Sequence, residues 1–227
     1  MDHDYLPSPE IRFYNRLKNF FRKFETDLSL NRIISIRRVV DYIYSQGFVA
    51  GFDILGSMNF GMSQVTSDLD LILYYEEHKL NPHWENRKAE IIQKRVNDYY
   101  HNVLKSETER FSIQFVDSIN LKRVELSILS ENPYCSHLQS FLLYRTICRG
   151  INYRILREKE KLLLEKPELM MYLEEYMKDT FRELITNPTS RYSFKKYRER
   201  LKYYGKDIPL DIQEMLNFYL DDKLEEI

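Results

Sequence analysis

The chain has 227 residues, long enough for one domain with a substantial core or for two small lobes. Its formal net charge is −1, so no global field draws in nucleic acid or an anionic membrane, and any such contact must rest on a local patch. No apolar run approaches the roughly 20 residues that a bilayer span needs, which excludes a helical membrane protein and any membrane partner of that kind.

With 18 Tyr and 13 Phe, the core is expected to be padded by amphipathic rings. Met1 to Pro7 has neither the basic start nor the apolar centre of a signal peptide. Cys135 and Cys148 are the only cysteines, and their surroundings suggest one helix that separates them by about 20 Å. They could not bridge at that distance, so reduced thiols and a cytoplasmic protein are expected.

Two helices open the chain. Residues 8–24 carry Ile11, Tyr14, Leu17, Phe20, Phe21 and Phe24 at helical spacing, with Pro9 suited to a first turn. A second helix begins after Asp27 or Ser29, carries Ile33, Ile36, Val39, Val40, Ile43 and Tyr44, and stops at Gly47. The basic pairs Arg22-Lys23 and Arg37-Arg38 are read as solvated faces. An extended run from Phe48 to Leu55, a Gly56-Ser57 turn and a second extended run from Leu69 to Tyr75 follow.

From Pro82 to about Lys105 the helical period returns, with Ile91, Ile92, Val96 and Tyr100 in its stripe. Residues 111–116 and 124–129 both alternate, with Asp117-Ser118-Ile119-Asn120 between them, and predict a β-hairpin. Beyond Pro133 the chain reads as wholly helical, with Pro167 dividing one long stretch in two. The expected organisation is therefore α+β, a mixed lobe over residues 1–130 followed by an all-helical lobe over residues 131–227.

The chemistry concentrates between Leu55 and Leu73. Strand periodicity is two, so Asp68 and Asp70 share one face while Leu69, Leu71 and Leu73 share the other. Two carboxylates this close oppose each other's ionisation, and a divalent cation relieves the conflict. A third carboxylate normally helps to hold a second ion. Glu125 is the best candidate, facing away from Val124, Leu126 and Ile128, and Asp117 is the competitor. Gly56 lets backbone approach phosphate oxygens, and Ser57 adds a hydroxyl donor beside the turn's N–H groups.

Gly56-Ser57, Gly61 and Ser67-Asp68-Leu69-Asp70-Leu71 together resemble the signature of the DNA polymerase beta-like nucleotidyltransferase superfamily, with Val124-Glu125-Leu126-Ser127 resembling its third-acid strand. The resemblance implies a small mixed β-sheet backed by helices, a nucleoside triphosphate donor and two magnesium ions. It implies Asp68, Asp70 and Glu125 as metal ligands and catalytic residues, and Gly56, Ser57 and Ser67 as nucleotide contacts. It also implies that Arg145, Arg149 and Lys159 reach the triphosphate from the helical lobe. The acceptor is left open among a protein, a small molecule, RNA and another nucleotide, and an inert relative acting as a nucleotide- or partner-binding module is the alternative.

Arg191 to Lys202 interleaves basic and aromatic residues. It suits a nucleic-acid contact, but the favoured reading is an amphipathic helix that turns Phe194, Tyr197, Leu201 and Tyr204 to the core. The five histidines show no zinc-ligand spacing with the cysteines and are read as surface or packing residues.

Overall fold

The computed structural model describes residues 9–104 and 112–220. Helices α1 (Pro9–Arg22) and α2 (Asp27–Ser45) lead to strand β1 (Ala50–Ile54), a single helical turn α3 (Gly56–Asn59) and strand β2 (Leu69–Tyr75). Helix α4 (Pro82–Tyr99) runs on as a π-helical turn over Tyr100–Leu104, and β3 (Ile113–Asn120) follows. Then come α5 (Leu121–Leu129), α6 (Ser136–Ile147), the short strand β4 (Arg149–Ile151), α7 (Tyr153–Leu164), α8 (Pro167–Thr186), α9 (Pro188–Tyr203) and α10 (Leu210–Leu220). The class is α+β, one small mixed sheet among many helices.

The sheet order is β3-β2-β1-β4. Strand β1 is antiparallel to both of its neighbours, and β2 runs parallel to β3. A parallel pair needs a crossover, which α4 provides. Both faces of the sheet are covered, and β2 divides its side chains accordingly. Leu69, Leu71, Leu73 and Tyr75 join Ile36, Val39 and Ile43 of α2 and Ile92 and Val96 of α4 in one core. Ile72 and Tyr74 join a second, larger core with Leu17, Phe21, Ile128, Phe141 and Phe194.

Two local readings are corrected. The predicted hairpin is instead a parallel strand followed by a helix. Asp117 to Asn120, read as a turn, complete β3, and residues 124–129 belong to α5. Leu121, Val124 and Ile128 are buried at helical spacing, Leu126 is 41% exposed, and Asn120 caps the helix by accepting the Lys122 N–H. A six-residue apolar alternation fits either period, and the cap together with the crossover decides it. Phe111 lies outside the described residues. The second correction is β4, an Arg-Gly-Ile strand in the segment expected to be wholly helical, too short to show a period. Elsewhere Pro167 does divide α7 from α8, and Cys135 and Cys148 flank α6 as free thiols.

A buried ionic network ties the sheet to the helices above it. Arg145 of α6 pairs with Asp53 of β1 and, at 2.6 Å, with Glu160 of α7, and all three side chains are at most 4% exposed. The Tyr74 hydroxyl donates to the other Asp53 oxygen at 2.6 Å. Lys18 of α1 donates to the Ile147 carbonyl at 2.7 Å, which fixes the junction of α6 and β4.

Removing one partner of such a network strands the others as uncompensated buried charges. Arg145→Ala is expected to lower unfolding free energy by about 3–5 kcal/mol in urea titrations. A loss near that of a surface salt bridge, below about 1 kcal/mol, would show that the network is not structural.

Candidate functional site

The site begins where β1 ends. Leu55 leaves the sheet and Gly56 turns the chain at φ 60°, a left-handed conformation open mainly to glycine. A Cβ on Gly56 would stand 2.2 Å from Asp70 Oδ2. The turn and the carboxylate are thus packed against each other, and only a hydrogen fits between them.

The segment after the turn is held from below by α1 and α2. Arg22 donates to the Asn59 carbonyl and to Asn59 Oδ1, both at 2.7 Å, so Arg22 is not the solvated cation expected from the sequence. The Thr26 N–H donates to the Gly61 carbonyl, and the Ser63 N–H donates to Ser29 Oγ. Buried Arg32 donates to the Ser67 carbonyl at 2.8 Å, while Ser67 Oγ accepts the Gln64 N–H. Gly61 is left-handed at φ 73°, and a Cβ there would lie 2.9 Å from Glu25 Cβ.

Asp68 and Asp70 flank Leu69 at the entry to β2, and Leu69 is fully buried on the opposite face. Asp68 is exposed and accepts three hydrogen bonds, from the Ser112 N–H, Ser112 Oγ and Gln114 Nε2. Asp70 is half-buried against the Gly56 turn. Burial, and then the charge of Asp68, raise its carboxyl above the ordinary carboxylate range. A cation beside Asp70 would relieve that cost.

Helix α9 forms the other wall. Phe194 and Tyr197 pack on Phe60, three residues beyond Ser57, with ring centroids 5.4 and 5.5 Å apart, and Tyr197 also meets Phe21 of α1. These contacts aim the next face of α9, with Tyr192, Lys196 and Arg200, at the carboxylates. The resulting cleft of about 390 Å³ is lined by Gly56, Ser57, Ser67, Asp68 and Asp70 on one side and by those α9 residues on the other. Burial, and among the charges Asp70, push the Tyr197 phenol up to about 12. Arg200 also donates to the Met62 carbonyl at 3.2 Å.

Of the residues expected at the site, Gly56, Ser57, Ser67, Asp68 and Asp70 converge. Glu125 does not. It sits on α5, where Lys159 at 2.8 Å and Lys122 at 3.2 Å bind its carboxylate and hold it below the usual range. Its candidacy rested on the hairpin, and with the hairpin replaced by a helix the reason disappears. Asp117, the alternative, lies further along β3 opposite Ile72 and accepts the Ser118 N–H. Arg145 and Arg149 are likewise engaged in ion pairs, with Asp53, Glu160 and Glu25.

Two features escaped the sequence reading. The β3 residue level with Asp70 is Gln114, a neutral amide beside the acids. Its place in the Ser-Ile-Gln-Phe alternation was visible, but a hairpin register gave no reason to set it against Asp70. The α9 wall was missed because an amphipathic helix was assigned only a core face and a water face. Phe194, Tyr197 and Leu201 are indeed buried, whereas Tyr204 is 59% exposed.

The donor set suits one divalent cation held by Asp68 and Asp70, with phosphate oxygens and water completing its shell. The third carboxylate that a second ion requires is not brought to the cleft, and among the described residues no group of three or more His, Cys, Asp or Glu is gathered to hold a metal. No described helix is long and apolar enough to cross a membrane. Compared with known proteins, the chain matches no family model, no characterised protein and no solved structure.

The raised Asp70 pKa carries a sign. Between the unfolded value near 3.9 and the higher folded value, the unfolded state releases this proton first, so stability falls as pH rises through that window. Asp70→Asn is therefore expected to raise Tm at neutral pH, by about 2 °C, while the gain vanishes below about pH 4. Calorimetry across that range checks it; a variant less stable than the parent at pH 7 would contradict the electrostatic account.

Proposed function

We propose that the chain is a nucleotidyltransferase. It binds a nucleoside triphosphate with a divalent cation in this cleft and transfers the nucleoside monophosphate to an acceptor. The observation that carries the reading is the convergence of Asp68, Asp70 and the Gly56-Ser57 turn beneath Lys196 and Arg200. The resemblance to the polymerase beta-like superfamily assigns the acids and the turn; its third acid is not among them, and Lys196 and Arg200 take the place of the expected Arg145, Arg149 and Lys159.

Asp68 and Asp70 would hold magnesium, which supplies charge neutralisation at the phosphates when bound. Gly56 permits close approach of backbone, Ser57 offers its hydroxyl, and Lys196 and Arg200 balance the remaining phosphate charge. Such transfer asks little covalent chemistry of the protein and depends on positioning and electrostatics. The acceptor oxygen bonds to the α-phosphorus, pyrophosphate leaves, and the acceptor's proton passes to solvent.

A second reading, a module that binds the nucleotide without turning it over, is favoured by one feature: Gln114 stands where a third carboxylate would serve.

Titration calorimetry with ATP, GTP, CTP and UTP, each with and without magnesium, tests the binding. Magnesium-dependent binding of at least one nucleotide is expected, weakened about 100-fold or more in Asp68→Ala/Asp70→Ala. Absence of any magnesium-dependent binding would sink both readings. Incubation with α-labelled triphosphates and cell extract then separates them. Label on an acceptor supports transfer, while binding without label supports the module, in which Gln114→Asp should tighten magnesium binding.

A further inference from the structure

The basic and aromatic stretch that the sequence reading gave to core and water has a third face. Between Arg191 and Lys206 the chain carries seven Lys and Arg and a single acid, Glu199, within a molecule of net charge −1. Among the described residues none of these cations forms an ion pair. Exposed tyrosines stand between them: Tyr192 is 67% exposed, Tyr203 85% and Tyr204 59%.

The positions form a track. Tyr192, Lys196 and Tyr203 follow one another at i, i+4 and i+11 on α9, so they share a face about 16 Å long that starts inside the cleft and ends beyond it. Lys195 and Lys202 lie on the adjoining exposed strip. The helix then ends on left-handed Gly205, and the Lys206 N–H donates to the Leu201 carbonyl at 2.9 Å, which fixes Lys206 beside the last turn.

We propose that this face binds a single-stranded nucleic acid and leads its end into the cleft as the acceptor. Lys196 on this face and Lys195 and Lys202 on the adjoining strip, with Glu199 the one acid between them, supply phosphate contacts, and the exposed phenol rings supply stacking surfaces that accept any base. An acidic peptide or an anionic membrane would match the charge but has no planar bases to stack along the rings. The strand's terminal hydroxyl oxygen forms the new bond to the α-phosphorus, pyrophosphate departs with the cleaved bond's electrons, and the hydroxyl proton goes to water. Delivery of the end rests on the nucleotide reading of the cleft, whereas binding along the track does not.

Fluorescence anisotropy with labelled single-stranded and duplex oligonucleotides tests it on the full chain. The single strand should bind more tightly than the duplex. Lys195→Glu/Lys202→Glu/Lys206→Glu should weaken it at least about tenfold and lower the log–log salt slope by about 2. Tyr203→Ala should cost about tenfold. In both variants nucleotide binding by calorimetry should be unchanged, and at strand concentrations near the parent's Kd an α-labelled triphosphate should mark the strand several-fold less than in the parent.

Nucleotide binding without strand binding overturns this proposal and leaves the cleft reading standing. Strand binding that follows these variants without nucleotide binding sinks the cleft reading and the delivery step with it. Equal displacement of the strand by polyglutamate or by anionic phospholipid vesicles also overturns the proposal, because the surface would then recognise charge alone.

Discussion

Strand β2 must bury side chains on both faces and still present two carboxylates to water. It does so by position. Leu69, Leu71 and Leu73 enter the core against α2 and α4, and Ile72 and Tyr74 enter the opposite core, so burial on Asp70's own face begins two residues beyond it, at Ile72. The acids stand at the strand's entry, where the helical layer has not yet closed over the sheet. Asp70 is half-covered there, and its neighbour Asp68 adds repulsion. The cost is carried by the rest of β2, whose register against β1 and β3 is held by apolar side chains on either side.

The opposite wall depends on rings rather than charges. Phe194 and Tyr197 lock α9 to Phe60 and Phe21, and the same contacts turn Lys196 and Arg200 toward the cleft. Farther along the sheet the buried Asp53–Arg145–Glu160 network holds α6 and α7 to β1. Arg145, Arg149 and Lys159 are held in ion pairs, while among the described residues the cations of α9 form none.

The strong periodicities carried through from sequence to structure. The stripes of α1 and α2, the strands on either side of Gly56-Ser57 and the break at Pro167 are long or sharply punctuated. Asp68 and Asp70 both line the cleft, on either side of buried Leu69. Short apolar alternations carried less. Val124 to Leu129 satisfies both periods, and the deciding facts are a cap at Asn120 and a parallel register that only the folded chain reveals. Glu125 was assigned through that run and is lost with it. Gln114, Arg22 and the α9 wall were hidden for a related reason: each owes its role to partners distant in the chain, at Asp70, Asn59 and Phe60.

The most direct measurement is a crystal structure of the chain with manganese and a non-hydrolysable nucleoside triphosphate analogue, using the metal's anomalous signal to place it. The account predicts manganese between the carboxylates of Asp68 and Asp70, with the phosphates against Gly56 and Ser57 and beneath Lys196 and Arg200. Metal bound at Glu125, or a nucleotide seated outside this cleft, would contradict it.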